Sequence, residues 1–139
     1  MDAVETLIPH RAPFLFVDRV LEFDAAAGRI VAEKTVLRSD PYLAGHYPSR
    51  PIMPGVLLLE ALVQTMTAGL ALGGSFGDGV ALLADVDRCH FRRPVSPGDI
   101  VRLEVVIERI IGRAARGLGI ATVGGDVAAE AVITLVIDL

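Results

Sequence analysis

Glu60 and Gln64 lie four residues apart in an otherwise apolar stretch. At that spacing they share one helix face. Their neighbours are Val56, Leu57, Leu58, Leu59, Ala61 and Leu62. A carboxyl group so placed must be paired, hydrogen-bonded or protonated, and a protonated one is a general acid. The plainer alternative is a glutamate on the one wet edge of the helix. His46, in Gly45-His46-Tyr47-Pro48, precedes the helix. An imidazole there can serve as a base near neutral pH, or it simply packs its loop. Pro54-Gly55-Val56 opens the helix. Gly55 has no Cβ, which lets a substrate approach the first-turn amides. Those amides are unsatisfied, with the positive end of the helix dipole behind them. An oxyanion placed there is stabilised. A base, an acid and an oxyanion site in one loop–helix unit suit removal of a proton beside a carbonyl.

Other reactive types are arranged less usefully. Cys89 and His90 are adjacent on an expected strand, so they point to opposite faces and form no dyad. There is no CxxC, HExxH, GxGxxG or phosphate loop, so no metal or nucleotide cofactor is expected. Arg88, Arg92 and Arg93 cluster near one strand end. They form either a solvated terminus or a basic patch for a phosphate-bearing or acidic partner.

These residues need a scaffold, and the chain is long enough to supply one. At 139 residues it is expected to form a single domain, 1–139, with a real core. Its 53% hydrophobic content excludes intrinsic disorder. One cysteine permits no internal disulfide and fits a reducing compartment. The net charge of −4 argues against a nucleic-acid binder. The acidic start, Met1-Asp2-Ala3-Val4-Glu5, lacks the layout of a secretion signal, so a cytoplasmic location is expected. Mean hydropathy is +0.55, which raises the question of a membrane. The apolar run Gly55 to Gly74 is interrupted by Glu60, Gln64, Thr65 and Thr67. That favours a helix buried in a soluble protein, with surplus apolar surface covered in an oligomer.

Along the chain, residues 2–8 read as a short helix, broken by Pro9 and Pro13. Residues 14–23 and 29–37 read as strands around a turn at 24–28. From Arg38 to Pro54, four prolines and Gly45 forbid helix and central strand. This segment carries aromatic and apolar anchors, so it is expected to be ordered and functional. A helix follows from Gly55 to about Leu72, ended by Gly73-Gly74. Strands are then expected at 79–92, 99–111, 116–123 and 127–139, separated by turn residues. The order predicts an antiparallel α+β domain, one helix packed on a curved sheet.

The segment Gly45-His46-Tyr47-Pro48-Ser49-Arg50-Pro51-Ile52-Met53-Pro54-Gly55-Val56-Leu57-Leu58-Leu59-Glu60-Ala61, with Gln64 after it, resembles GHFPxxPxxPGVLxxEAxxQ. That is the active-site pattern of FabZ-type (3R)-3-hydroxyacyl-acyl-carrier-protein dehydratases. Leu7 to Val20 resembles the family's LPHRxPFLLVDRV, and Phe91 to Asp99 its F(K/R)RPVxPGD. The resemblance covers nearly the whole chain. It implies a hotdog fold, a central helix wrapped by a curved antiparallel sheet of about six strands. It also implies a dimer whose sheets join, often a trimer of dimers, with each active site taking histidine from one subunit and glutamate from the other.

Carried onto this chain, the resemblance assigns His46 to C2 proton removal and Glu60 to protonation of the departing 3-hydroxyl. Glu60 would act directly or through a water. The Gly55 amide, between Pro54 and Val56, polarises the thioester carbonyl, and Gln64 orients Glu60. Arg92 and Arg93 become contacts for the acidic acyl carrier protein, whose phosphopantetheine bears the substrate. No metal or redox cofactor is implied. The pathway is fatty-acid or polyketide synthesis. Two departures stand out: Tyr47 replaces the commoner Phe, and Leu82-Leu83-Ala84-Asp85-Val86 stands where many members have an aromatic and a glycine. The alternatives are a hotdog thioesterase and a subunit of a heterodimeric polyketide dehydratase.

Overall fold

The computed structural model describes residues 3–75, 77 and 79–138. Six strands form one antiparallel sheet: β1 (Arg19–Asp24), β2 (Arg29–Thr35), β3 (Val80–Phe91), β4 (Ile100–Ile111), β5 (Ala114–Val123) and β6 (Asp126–Asp138). Their order across the sheet is β1-β2-β4-β5-β6-β3. The long crossing from β2 to β3 contains a 3-10 turn at Pro41–Gly45 and the helix α1 (Gly55–Leu72). The hairpin from β5 to β6 turns on Gly124 and Gly125, both with positive φ, the conformation a two-residue hairpin demands.

The sheet accommodates α1 because its middle strands present small residues. Ala115, Gly117, Gly119 and Ala121 alternate along the buried face of β5. A Cβ on Gly117 would stand 3.0 Å from the Met66 sulfur, and one on Gly119 3.3 Å from Leu62. The helix therefore sits close, and every residue from Ala61 to Leu70 is buried. Its hydroxyls are satisfied within the helix, Thr65 donating to the Ala61 carbonyl and Thr67 to that of Val63. By length and composition α1 could cross a membrane. Here it forms the protein's core, together with Leu103, Ile133 and Leu135.

The α+β reading holds, with corrections at the edges. Residues 14–18 are not strand, because β1 begins only at Arg19. The segment is instead a strap tied by side chains: the Phe16 amide donates to Gln64 Oε1 at 2.8 Å. The expected helix at 2–8 is one 3-10 turn at Val4–Thr6, with Met1 and Asp2 outside the described residues. β2 stops at Thr35, two residues early, where Val36 turns to bond with Asp99 and Gly98. β5 starts at Ala114, two residues early, and Leu139 lies outside the described residues.

Candidate active site

His46 closes the 3-10 turn Pro41–Gly45, its amide bonding the Leu43 carbonyl at 3.4 Å. The imidazole Nδ1–H donates to the Ile52 carbonyl at 3.0 Å. A carbonyl can only accept, so this bond sets the tautomer of the neutral ring and leaves Nε2 as its bare basic nitrogen. The next residue, Tyr47, has φ of 51°, rare for a side chain with a Cβ. Such strain persists only where the surroundings impose it. A turn from Tyr47 to Arg50 closes at 2.8 Å, and the Met53 amide anchors the segment to the Val95 carbonyl at 2.7 Å.

The start of α1 carries no side-chain cap. Leu57 and Leu58 bond the Pro54 carbonyl, while the Gly55 and Val56 amides have no backbone partner among the described residues. Donors therefore stand free where the helix dipole is positive. The open approach over Gly55 needs correcting. A Cβ there would meet the Phe91 ring at 2.9 Å, so the missing side chain makes room for that ring first. Two adjoining hollows of about 280 and 340 Å³ share Ile52 and Pro94. One reaches Gly55 and Phe91, the other Tyr47 and Arg50. A larger hollow of about 730 Å³ lies at the far end of α1, beside Gly69 and Gly73, and none of the three is lined by His46 or Glu60.

Glu60 and Gln64 meet as their spacing predicts, Gln64 Nε2 donating to Glu60 Oε2 at 3.0 Å. Gln64 is fully buried and is held in turn by Phe14 and Phe16, donating to the Phe14 carbonyl at 2.8 Å. Its amide is thus oriented by the strap and cannot turn away from the carboxylate. Glu60 also lies 3.7 Å from His10 Nε2. Sequence reasoning missed that neighbour. His10 belongs to the Leu7 to Val20 motif, but fifty residues separate it from Glu60 and no local pattern links them. His46 and Glu60 form no ion pair within one chain among the described residues.

Arg92 and Arg93 flank the first hollow. Arg92 bonds Glu130 at 2.7 Å, which holds that carboxyl below the usual carboxylate range. Arg93 pairs with Asp126 at 3.3 Å and Asp99 at 3.9 Å. Cys89 and His90 both lie on β3, as expected. Burial pushes the Cys89 thiol up, away from the reactive thiolate.

Among the described residues, one α-helix wrapped by a six-stranded antiparallel sheet, with a loop histidine before the helix and a carboxyl in its second turn, makes up a hotdog domain. The FabA-like domain family matches residues 8–135. The chain is 46% identical over 129 residues to the 3-hydroxyacyl-[acyl-carrier-protein] dehydratase FabZ of Moorella thermoacetica, covering 93% of this chain and 90% of that one. Against the same-named protein of Oceanobacillus iheyensis it is 44% identical over 137 residues, covering 99% and 97%. The chain belongs to the FabA-like family, among its FabZ-type dehydratases.

Among solved structures, the dehydratase heterocomplex ApeI:P from Xenorhabdus doucetiae superimposes with a TM-score of 0.87 at 14% identity, covering 100% of this chain and 93% of that one. A hypothetical thioesterase from Streptococcus pneumoniae, solved with coenzyme A, gives 0.67 at 12% identity, covering 86% and 84%. At such identities both speak to the fold alone.

Proposed function

We propose that this chain removes water from (3R)-3-hydroxyacyl thioesters carried on acyl carrier protein, giving trans-2-enoyl thioesters in fatty-acid biosynthesis. The observation that carries the reading is the unit His46–Gln64. It presents a base with Nε2 bare, a carboxyl held by Gln64, and free amides at a helix start. The Gly55 amide, with Val56 beside it, polarises the thioester carbonyl, which acidifies C2. Pro54, having no N–H, leaves that site to the two amides. His46 Nε2 takes the C2 proton. Glu60 gives a proton to the 3-hydroxyl, the C3–O bond breaks, and water leaves as the C2–C3 double bond forms. Electrons balance without an oxidant, so the reaction needs no redox cofactor, and we assign no metal.

The working unit is a dimer of this chain. Among the described residues β3 is an edge strand bonded only to β6, yet it exposes Val80, Leu82, Leu83 and Phe91. A long apolar edge in water invites pairing, and a second copy of β3 supplies it. His46, with no carboxylate paired to it among the described residues, then faces the partner subunit's Glu60. Further assembly into a trimer of dimers, or pairing with a different hotdog chain, is an outcome that sedimentation resolves. The lone cysteine and the carrier-bound substrate fit a cytoplasmic enzyme. Arg92 and Arg93 flank the mouth and serve the acidic carrier, exchanging their own carboxylates for those of the partner.

The deciding assay incubates the protein with 3-hydroxybutyryl carrier and follows the ultraviolet absorbance of the conjugated enoyl thioester. Enoyl product supports the lyase. Free acid without enoyl product replaces it with a thioesterase.

A further inference from the structure

Lys34 is a cation on the wrong side of a strand. β2 directs Ile30, Ala32 and Lys34 to the face that packs α1, cross-strand from the buried Val105, Leu103 and Val101. Ile30 and Ala32 are wholly buried, and the lysine side chain is 9% exposed. Burying an ammonium costs several kcal/mol unless it is paired, so its partners matter. Lys34 Nζ lies 3.4 Å from Asp40 Oδ2 and 3.8 Å from Asp18 Oδ1. The same Asp40 oxygen accepts the Leu37 amide at 3.0 Å and the Tyr42 hydroxyl at 3.0 Å. Asp18 Oδ2 accepts the Thr35 amide at 2.6 Å.

Two arms leave this cluster. Asp40 precedes the 3-10 turn, its carbonyl takes the Leu43 amide at 3.1 Å, and the Leu43 carbonyl takes the His46 amide at 3.4 Å. Residues 47–50 beyond are exposed, so the cluster is the upstream anchor of His46. On the other arm, the Tyr42 ring packs edge-on against Phe16 at 5.9 Å between centroids. Phe16 holds Gln64, which holds Glu60. Burial first, then the Asp40 hydrogen bond, push the Tyr42 phenol above its ordinary range, so it remains a donor at working pH.

We propose that Lys34 is a positioning residue for the dehydration, its ammonium holding Asp40 and Asp18 so that the turn beneath His46 and the strap behind Gln64 keep one geometry. The proposal rests on the dehydratase reading for its kinetic arm only. It touches no substrate; it acts through Asp40 and Tyr42.

The test is Lys34→Met, an apolar chain of similar length, read by steady-state kinetics and by nitrogen NMR of the histidine rings. His46→Ala assigns the His46 signal. The parent should show one tautomer at His46, protonated on Nδ1. In folded Lys34→Met, kcat should fall about tenfold, as small misplacements of catalytic groups do, with KM within about twofold. The His46 signal should move to an averaged tautomer. Retention of kcat within about twofold overturns the proposal, as does a kcat loss with the tautomer signal unchanged. Should Lys34→Met not fold, Tyr42→Phe removes a single hydroxyl. It should lower kcat about threefold and blur the same signal, and no change in either overturns the proposal. The NMR arm needs no substrate. A parent without dehydratase turnover therefore sinks the functional reading and leaves the positioning claim to the tautomer.

Discussion

Replacing Gln64 by Leu tests the link between core and chemistry most directly. The side chain is fully buried and makes three hydrogen bonds, to the Phe16 amide, the Phe14 carbonyl and the Glu60 carboxylate. Leucine matches its volume and adds apolar contact, so no cavity forms. The Phe16 amide bond is buried, and without Gln64 that N–H has no replacement partner. A buried orphan donor costs about 1–3 kcal/mol. Phe14 is half exposed, so water can replace its lost bond at little cost. The net loss is about 2 kcal/mol. For 139 residues the unfolding entropy near 60 °C is about 0.3 kcal/mol/K, so Tm should drop about 7 °C at constant protein concentration. Catalysis should suffer separately. Glu60 loses the donor that aims its oxygen, and kcat should fall about tenfold at temperatures where the variant is fully folded. Calorimetry and the enoyl absorbance assay read the two effects. An unchanged Tm would refute the account of the strap, and an unchanged kcat would refute the orienting role of Gln64.

Three further outcomes follow from the same geometry. His46→Ala and Glu60→Gln should each abolish turnover, yet chains unfolded together and refolded as a mixture should regain roughly a quarter of the parent rate. Half the dimers are then mixed, and in those one site has both groups; no recovery would place each site within one chain. Gly55→Ala puts a methyl against the Phe91 ring and should cost about 1–3 kcal/mol of stability. Adding Phe91→Ala should remove the clash, and a calorimetric double-mutant cycle showing no coupling would discount the contact. Alkaline titration probes Tyr42, whose folded phenol ionises above its ordinary range. The unfolded phenol loses its proton first, so this stabilisation is complete below about pH 10 and fades as pH rises through the folded value. Tyr42→Phe should flatten that limb of a stability–pH curve.

The helix and the sheet could be read from the chain because their patterns are local. Glu60 and Gln64 declare their shared face by spacing alone, and glycines and prolines mark nearly every boundary. Residues 14–18 misled because Phe14, Leu15, Phe16 and Val17 have strand composition, while the Phe16 amide bonds a side chain forty-eight residues away in place of a neighbouring strand. Lys34 went unnoticed for a related reason. In a polar-apolar alternation a lysine is assigned to water, and only the register Lys34↔Val101 turns it inward. His10 near Glu60 needed the strap to fold back along α1. Each miss is a contact across a long sequence separation, where composition and periodicity carry no signal.

The proposed dimer rests on how differently the two reacting groups are provided for among the described residues. Glu60 is provided for internally, with Gln64 at 3.0 Å and His10 at 3.7 Å. His46 is provided for on one nitrogen only, through Ile52, and its basic Nε2 has no carboxyl in reach among the described residues. A dehydration needs a base and an acid on the same substrate. β3 also carries exposed apolar surface that no element among the described residues covers. In the proposed dimer one operation would answer both deficits: joining two β3 edges would bury Leu82 and Leu83 and bring each His46 toward the partner's helix. Under that proposal assembly and catalysis are one requirement. A variant that blocks edge pairing, such as Leu82→Arg, should lose turnover in proportion to dimer lost, and an active monomer would break that link.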